Sequence, residues 1–496
     1  MNYISTRDKS VKVSAANAIA RGISAEGGLF VPDSFPAFSK KDFKEIAKLD
    51  YKGRAKYILK YFLNDFSEEE VEYCVNGAYT GSFDNEQPAP ISLIGKNANI
   101  LELWHGPTCA FKDLALQLLP YLLTTSAKKV AGGKKIVILV ATSGDTGKAA
   151  LEGFKDVEDT EILVFYPSEG VSPMQKLQMS SQEGENVHVC AIIGNFDDAQ
   201  TGVKKIFTDN AVKEKLAENN MQFSSANSIN WGRLAPQIVY YVSAYCDMLS
   251  REDNYLENGF NIVVPTGNFG NILAAYYAKK MGVPVNKLIC ASNANNVLTD
   301  FINTGIYDRN RDFYTTISPS MDILISSNLE RMLFELYGND DKAVAALQNS
   351  LSENGKFAVT DEVKASLSSL FWGGCCDDKE TKATIGKYFE DYSYLADTHT
   401  AVALNVYEQY VKATGDNRPT VIASTASPYK FAKSVLSSVT DKKADSEFAE
   451  VKLLSEITRT EIPGPIAALE NKTARFKDIC EKQDMLKAVY SSLGIK

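Results

Sequence analysis

The chain has 496 residues, 45% hydrophobic and 23% charged, a globular composition with enough apolar material for two or three cored domains. Its formal net charge of -9 argues against a surface built for polyanions, so no nucleic-acid partner is expected. No run approaches the roughly 20 apolar residues of a membrane span, and the opening MNYISTRDKSVKVS lacks the apolar centre of a signal peptide. No membrane partner and a cytoplasmic location are expected.

In chain order, the first ninety residues carry helical patterns such as KKDFKEIAKLDYKGRAKYILKYFL at 40–63, and NEQPAPISL at 85–93 breaks them with two prolines. This predicts an N-terminal accessory domain over 1–90. Next comes WHGPTCAFKD at 104–113, followed by the helix-like LALQLLPYLL. From there short β-branched runs alternate with helical patterns: KKIVILVAT, EILVFYP, NVHVCAII, FNIVVPTG, KLICASN and PTVIAST. Runs that are apolar on both sides and bounded by Gly, Ser, Thr, Asn or Pro predict buried strands in mostly parallel sheets, hence the α/β class. After Ser427 the chain reads as helical and charged, with IPGP at 462–465 as an interruption.

Eight cysteines (Cys74, Cys109, Cys190, Cys246, Cys290, Cys375, Cys376, Cys480) show no CxxC spacing, and His105, His188 and His399 do not cluster with them. Neither a metal site nor a disulfide framework is predicted, and a reducing compartment fits.

Two glycine loops join apolar strands to helices. In PTGNFGN at 265–271 the GxxG spacing fails the GxGxxG dinucleotide fingerprint, but backbone N–H groups and a helix N-terminus converge there, which suits a phosphate. The other, ATSGDTGKAA at 141–150, fails the Walker A pattern, with Thr142 where the first glycine belongs and Ala149 after the lysine. Its Ser143 and Thr146 offer hydroxyls at a helix start, a clamp for a small carboxylate, against the alternative that Ser143 and Asp145 merely cap the helix.

WHGPTCAFKD, ATSGDTGKAA, SSANSINWGRLAPQ, PTGNFGN and ASTASPYKF occur in the order and approximate spacing of threonine synthases, and ISTRDKS and AEGGLFVPDSFP extend the likeness to the N-terminus. The chain resembles that family of pyridoxal-phosphate enzymes. The resemblance implies a fold-type-II architecture of two open, mostly parallel sheets flanked by helices, plus the accessory domain. The expected division is a large cofactor-binding domain of 91–134 and 255–496, with a C-terminal helical extension, and a smaller α/β domain of 135–254 carrying substrate loops. It further implies that Lys112 holds pyridoxal phosphate as a Schiff base. An amine flanked by Ala110 and Phe111 is harder to protonate and so fits that chemistry. Phe111 would pack near the cofactor; Gly267, Asn268, Phe269, Gly270 and Asn271 would hold its phosphate, and Thr425 would meet its pyridine nitrogen.

The reaction implied is conversion of O-phospho-L-homoserine and water to L-threonine and phosphate, by β,γ-elimination and β-hydration. Ser228, Asn230 and Arg233 resemble the substrate-phosphate ligands, and the planar fork of Arg233 suits that task. From its place after the SGDTG loop, Lys148 is expected either to aim a further cation at the substrate or to stand exposed to solvent. The chain departs from the family's TAHPAKF at Ser427 and Tyr429, while Thr425 and Lys430 are kept; DTHTAVAL at 397–404 carries Thr398 where the family block has proline. Other readings of the same blocks are an O-phosphohomoserine phospho-lyase, a serine or threonine dehydratase and, more distantly, a non-catalytic small-molecule sensor. A monomer or homodimer is expected.

Overall fold

The six β-branched runs divide between two sheets. The computed structural model describes residues 1–84, 86–142, 144–169, 171, 173–251 and 255–496, with the backbone alone at 173, 196 and 197. The larger sheet has six strands in the order Phe371–Cys375, Val285–Ser292, Phe260–Pro265, Thr420–Ser424, Ala98–Glu102, Ile91–Ile94. Its pairings are parallel except for the edge hairpin of Ile91–Ile94 with Ala98–Glu102. The smaller sheet is parallel throughout, ordered Ile479–Glu481, Val187–Ile193, Thr160–Pro167, Lys135–Ala141, Met221–Ser224. Every residue of Phe260–Pro265 is buried, as a strand covered on both faces requires. This is the α/β, fold-type-II arrangement expected.

The division expected from sequence is altered at one point. Ile479–Glu481 pairs in parallel with Val187–Ile193, so the chain's last strand returns to the smaller sheet instead of staying with 255–478. Met485, Val489 and Ile495 then pack on that sheet's residues, beside Cys190 and Ile192.

The N-terminal segment forms a three-stranded antiparallel sheet of Lys12–Val13, Tyr3–Ser5 and Phe30–Pro32, together with helices. The helical pattern at 40–63 is two helices, Lys40–Ile46 and Tyr51–Phe62, because the Asp50 side chain accepts from the Gly53 N–H and starts a new helix. This segment is built onto the long helix Trp231–Leu249. Tyr3 and Phe62 pack on Trp231 with ring centroids 5.4 and 5.5 Å away, and Arg54 pairs with Asp247 at 2.6 Å. Among the described residues, no helix is long and apolar enough to cross a membrane.

In parallel sheets the loops at the carboxyl ends of the strands are where sites form. Pro265 and Ser424 end neighbouring strands of the larger sheet, and Ala141 ends one of the smaller. Each leads into a segment singled out by the sequence.

Candidate active site

Two blocks more than 300 residues apart in sequence are joined rung by rung. The Phe111 N–H donates to Thr425 O at 2.9 Å, Ala110 bridges Ala426 in antiparallel sense, and the Ser427 N–H donates to Cys109 O at 3.0 Å. This ladder sets Lys112 beside Thr425, itself 5% exposed. The WHGPT loop is folded onto its own helix start: the Thr108 N–H and Oγ1 donate to the Asp113 carboxylate at 2.8 and 2.6 Å. Gly106 permits that closure, since a Cβ there would stand 2.5 Å from Asp113 Cβ. Asp113 is thus a loop clamp as well as a first-turn acid, and burial raises its carboxyl to about 6 despite the Thr108 hydrogen bonds.

Cys109 and Phe269 both have left-handed backbones, with φ of 55° and 63°. Such a conformation costs a non-glycine residue about 1–2 kcal/mol and persists only where its surroundings enforce it. The two loops that bear the site each contain one.

Lys112 is 9% exposed. Its Nζ lies 3.4 Å from Ser320 Oγ, 3.9 Å from Asp145 Oδ2 and 4.8 Å from the centre of the Phe111 ring. Burial lowers its pKa from 10.5 to about 8; Asp145 opposes the shift, while the charges of Arg233 and Lys430 add to it. Asp145 has a stronger partner in Lys430, whose Nζ is 2.7 Å from Oδ1 and also donates to Thr108 O at 2.7 Å. Burial, with the neighbouring charges of Arg233 and Lys430 behind it, outweighs the pull of Asp145 and keeps Lys112 partly unprotonated near neutrality.

The TGNFGN loop leads into the helix Gly270–Lys280, which has no side-chain cap at its N-terminus. Phe269 turns its ring into the core, 5.6 Å from Phe371, and contributes its backbone to the loop. Asn268 is exposed, and its carbonyl accepts from the Asn328 N–H and Nδ2, each at 3.1 Å. Gly267 is packed more tightly than Gly270: a Cβ at 267 would meet Ser320 O at 2.7 Å, whereas at 270 the nearest atom, Asn328 Nδ2, would be 3.4 Å away. Asn271 Oδ1 accepts from the Tyr240 and Tyr241 hydroxyls, which leaves its buried Nδ2 without a partner among the described residues.

Arg233 stands in the first turn of Trp231–Leu249, 5% exposed, with Nη1 donating to Ala226 O at 2.6 Å. No acidic side chain among those described pairs with it, and burial alone lowers its guanidinium to about 10. A desolvated cation with most of its donors unused is expensive unless an anion completes it.

The other expected substrate residues fare differently. Asn230 donates both amide hydrogens to carbonyls, Ile19 O at 3.0 Å and Ser225 O at 2.9 Å, while its Oδ1 accepts from the Gly232 N–H. It has no donor left for a phosphate, so the expectation for its side chain is corrected to capping the Arg233 helix and docking the N-terminal helix Ala15–Arg21. Lys148 is likewise held, by Glu152 Oε2 at 3.0 Å and by Gln182 Oε1. Its expected role as a free cation aimed at substrate is replaced by that buried network. Ser228 is half-buried in the turn ahead of Asn230, and Thr146 is half-buried in the first turn of Asp145–Phe154. Ser143 lies outside the described residues.

Two departures from the family pattern, Ser427 and Tyr429, have structural roles. Ser427 Oγ accepts from the Tyr429 N–H, and Tyr429 is buried with its hydroxyl 2.8 Å from Thr460 O and 2.7 Å from Thr460 Oγ1. Together they pin the turn Pro428–Phe431 that delivers Lys430 to Asp145.

These donors suit a phosphorylated aldehyde: an amine of lowered basicity, an uncapped helix N-terminus with an unpartnered amide beside it, and an aromatic ring against the amine. Sequence reasoning treated Asp145 as a helix cap and gave Ser320 no role. Asp145 was legible as an acid in a glycine loop, whereas nothing in ISPSMD distinguishes Ser320.

The comparisons agree along the whole chain. Residues 2–79 match the family model of the threonine synthase N terminus, 93–358 that of pyridoxal-phosphate dependent enzymes, and 400–489 that of the threonine synthase C-terminal region. Human threonine synthase-like 1 is 40% identical over 459 residues, covering 89% of this chain, and the chain spans 61% of that relative's length. Threonine synthase of Pseudomonas aeruginosa is 36% identical over 436 residues, 88% of this chain and 90% of its own. The crystal structure of pyridoxal-phosphate-bound threonine synthase from Brucella melitensis superposes with a TM-score of 0.88 at 34% identity, covering 99% of both chains. The lysine loop, the glycine loop and the buried arginine therefore lie in a chain that belongs to the threonine synthase family of pyridoxal-phosphate-dependent enzymes.

Proposed function

We propose that this chain is a threonine synthase, a lyase that converts O-phospho-L-homoserine and water to L-threonine and phosphate. Arg233 carries the reading. The helix N-terminus at Gly270 provides for one phosphate, the cofactor's, and a buried guanidinium without an acidic partner among the described residues answers to a second, on the substrate.

In this reading the backbone of Gly267, Asn268, Phe269, Gly270 and Asn271, with the Asn271 amide, holds the cofactor phosphate. Phe111 packs against the cofactor and the Thr425 hydroxyl meets its pyridine nitrogen. When bound, pyridoxal phosphate supplies the electron sink that makes hydrogens on the substrate's α- and β-carbons removable. Lys112, with a pKa of about 8, is partly amine at neutral pH and takes or returns a proton at one fixed point. Asp145, 3.9 Å away, favours its charged form when it carries one. Arg233 donates to the substrate phosphate and stabilises the charge that grows there as the phosphate leaves. Thr146 and Ser143 serve the substrate carboxylate, with Ser228 beside the phosphate. The domains are read as 1–90, 91–134 with 255–478, and 135–254 joined by the C-terminal strand, in a cytoplasmic enzyme.

The test is kcat/KM for O-phosphohomoserine in Arg233→Ala and Arg233→Lys, alongside titration with pyridoxal phosphate. Arg233→Ala should lose about a hundredfold or more in kcat/KM with cofactor affinity near the parent's, and Arg233→Lys should recover part of the rate. Parental kcat/KM, or failure to bind cofactor, would remove Arg233 from the substrate site and favour a dehydratase.

A further inference from the structure

Ser320, in the turn Pro319–Met321, touches three parts of the site that are distant in sequence. Its Oγ is 3.4 Å from Lys112 Nζ, and its carbonyl lies where a Cβ on Gly267 would come within 2.7 Å. Its N–H donates to His399 Nε2 at 3.2 Å. One residue thus fixes the spacing between the lysine and the glycine loop, and a histidine fixes that residue.

His399 is 2% exposed, near the start of the helix Thr398–Thr414. Its Nδ1 is 2.9 Å from Asp397 Oδ1, which also accepts the His399 backbone N–H at 2.8 Å. Thr400 binds the other carboxylate oxygen through its N–H and hydroxyl, and the Phe431 ring closes the remaining side at 4.9 Å between centroids. A ring nitrogen that accepts from a backbone N–H carries no proton. The imidazole is therefore neutral, with its proton on Nδ1 and donated to Asp397. The arrangement is directional: Asp397 sets the tautomer, the tautomer leaves Nε2 an acceptor, and that acceptor holds the Ser320 backbone.

We propose that Ser320 is a further residue of the lysine site and that the Asp397–His399 pair is its positioning device. The inference rests on the reading of Lys112 as the cofactor lysine. With its N–H held, Ser320 keeps its hydroxyl at Nζ as an acceptor for one amine hydrogen, so the lysine is oriented before any cofactor arrives. The same hold keeps the Ser320 carbonyl against Gly267, so the amine and the phosphate loop stay at one separation.

The experiment measures the dissociation constant for pyridoxal phosphate in the full chain and in Ser320→Ala, His399→Gln and His399→Asn, with Lys112→Ala as control. The glutamine amide can put an acceptor where Nε2 stands, whereas asparagine can satisfy Asp397 but falls short of Ser320. Ser320→Ala and His399→Asn should each weaken binding by about tenfold, and His399→Gln should stay within about threefold of the parent. Parental affinity in Ser320→Ala, or a glutamine variant as weak as the asparagine one, overturns the proposal. If Lys112→Ala has lost the cofactor's visible band in either of those cases, only the positioning inference fails. If Lys112→Ala keeps the band, the reading of Lys112 fails first.

Discussion

Asp145 and Lys430 form a buried ion pair, Oδ1 to Nζ 2.7 Å, with side chains 5% and 2% exposed. The pair joins the SGDTG loop of the smaller sheet to the segment that follows Ser424 of the larger one, and the remaining Asp145 oxygen faces Lys112 at 3.9 Å. Burial by itself would push the Asp145 carboxyl up, but Lys430 and then Lys112 outweigh it and hold the group far below the usual carboxylate range.

Breaking this pair should be costly. Lys430→Met leaves Asp145 with the more distant Lys112 as its ammonium partner among the described residues, and the expected loss is about 3–5 kcal/mol in urea unfolding of the cofactor-free protein. The sign with pH is fixed by the depressed carboxyl. Its stabilisation is present above about pH 4 and is lost as pH falls toward the folded-state value. Lys430→Met should therefore flatten the acid limb of the stability profile. A variant of parental stability with an unchanged acid limb would contradict the pair's role.

Lys112 has the opposite economy. Its pKa of about 8 lies below the ordinary 10.5, so the native state binds fewer protons than the unfolded chain between those values. The penalty for its charge is full below pH 8 and is relieved as pH rises from 8 to 10.5. Lys112→Met should stabilise the cofactor-free protein on the order of 2 kcal/mol at pH 7, with the gain shrinking by pH 9.5, while the cofactor's visible band is lost. Denaturant midpoints at the two pH values check this, and a variant less stable than the parent at pH 7 would contradict it.

The glycine loop gives a ranking. A methyl group on Gly267 collides with the Ser320 carbonyl, which is backbone and moves only with its turn, whereas Gly270 has ordinary room. Gly267→Ala should weaken pyridoxal phosphate binding by about tenfold and Gly270→Ala by less. Titration of the two variants decides it; the reverse order would show that the close approach is at Gly270.

Much of this architecture is legible in local sequence because buried parallel strands carry continuous β-branched runs, and all six such runs are strands. The strands that escaped notice lack that signature. Phe371–Cys375 contains two glycines, while Ile91–Ile94 and Met221–Ser224 are short and partly exposed. Ile479–Glu481 is three residues long, and its place beside Val187–Ile193 is a long-range pairing that no local pattern encodes. In the site, the glycine loop stood out by its own pattern, while Lys112 and Arg233 stood out through the blocks that resemble the family, whose chemistry suits an amine and a guanidinium. Asn230 and Lys148 misled because sequence shows a donor but not what the donor is already bonded to. Ser320 was opaque for the complementary reason, since its part is set by contacts across 79 residues of chain to His399 and across 208 to Lys112.

The most direct test of the whole account is the product balance. With the purified chain, pyridoxal phosphate and O-phospho-L-homoserine, phosphate, threonine and 2-oxobutyrate are measured separately over one time course. The account predicts phosphate and L-threonine in equal amounts, without 2-oxobutyrate. Phosphate accompanied by 2-oxobutyrate in place of threonine, or no phosphate release from a cofactor-loaded enzyme, would contradict it.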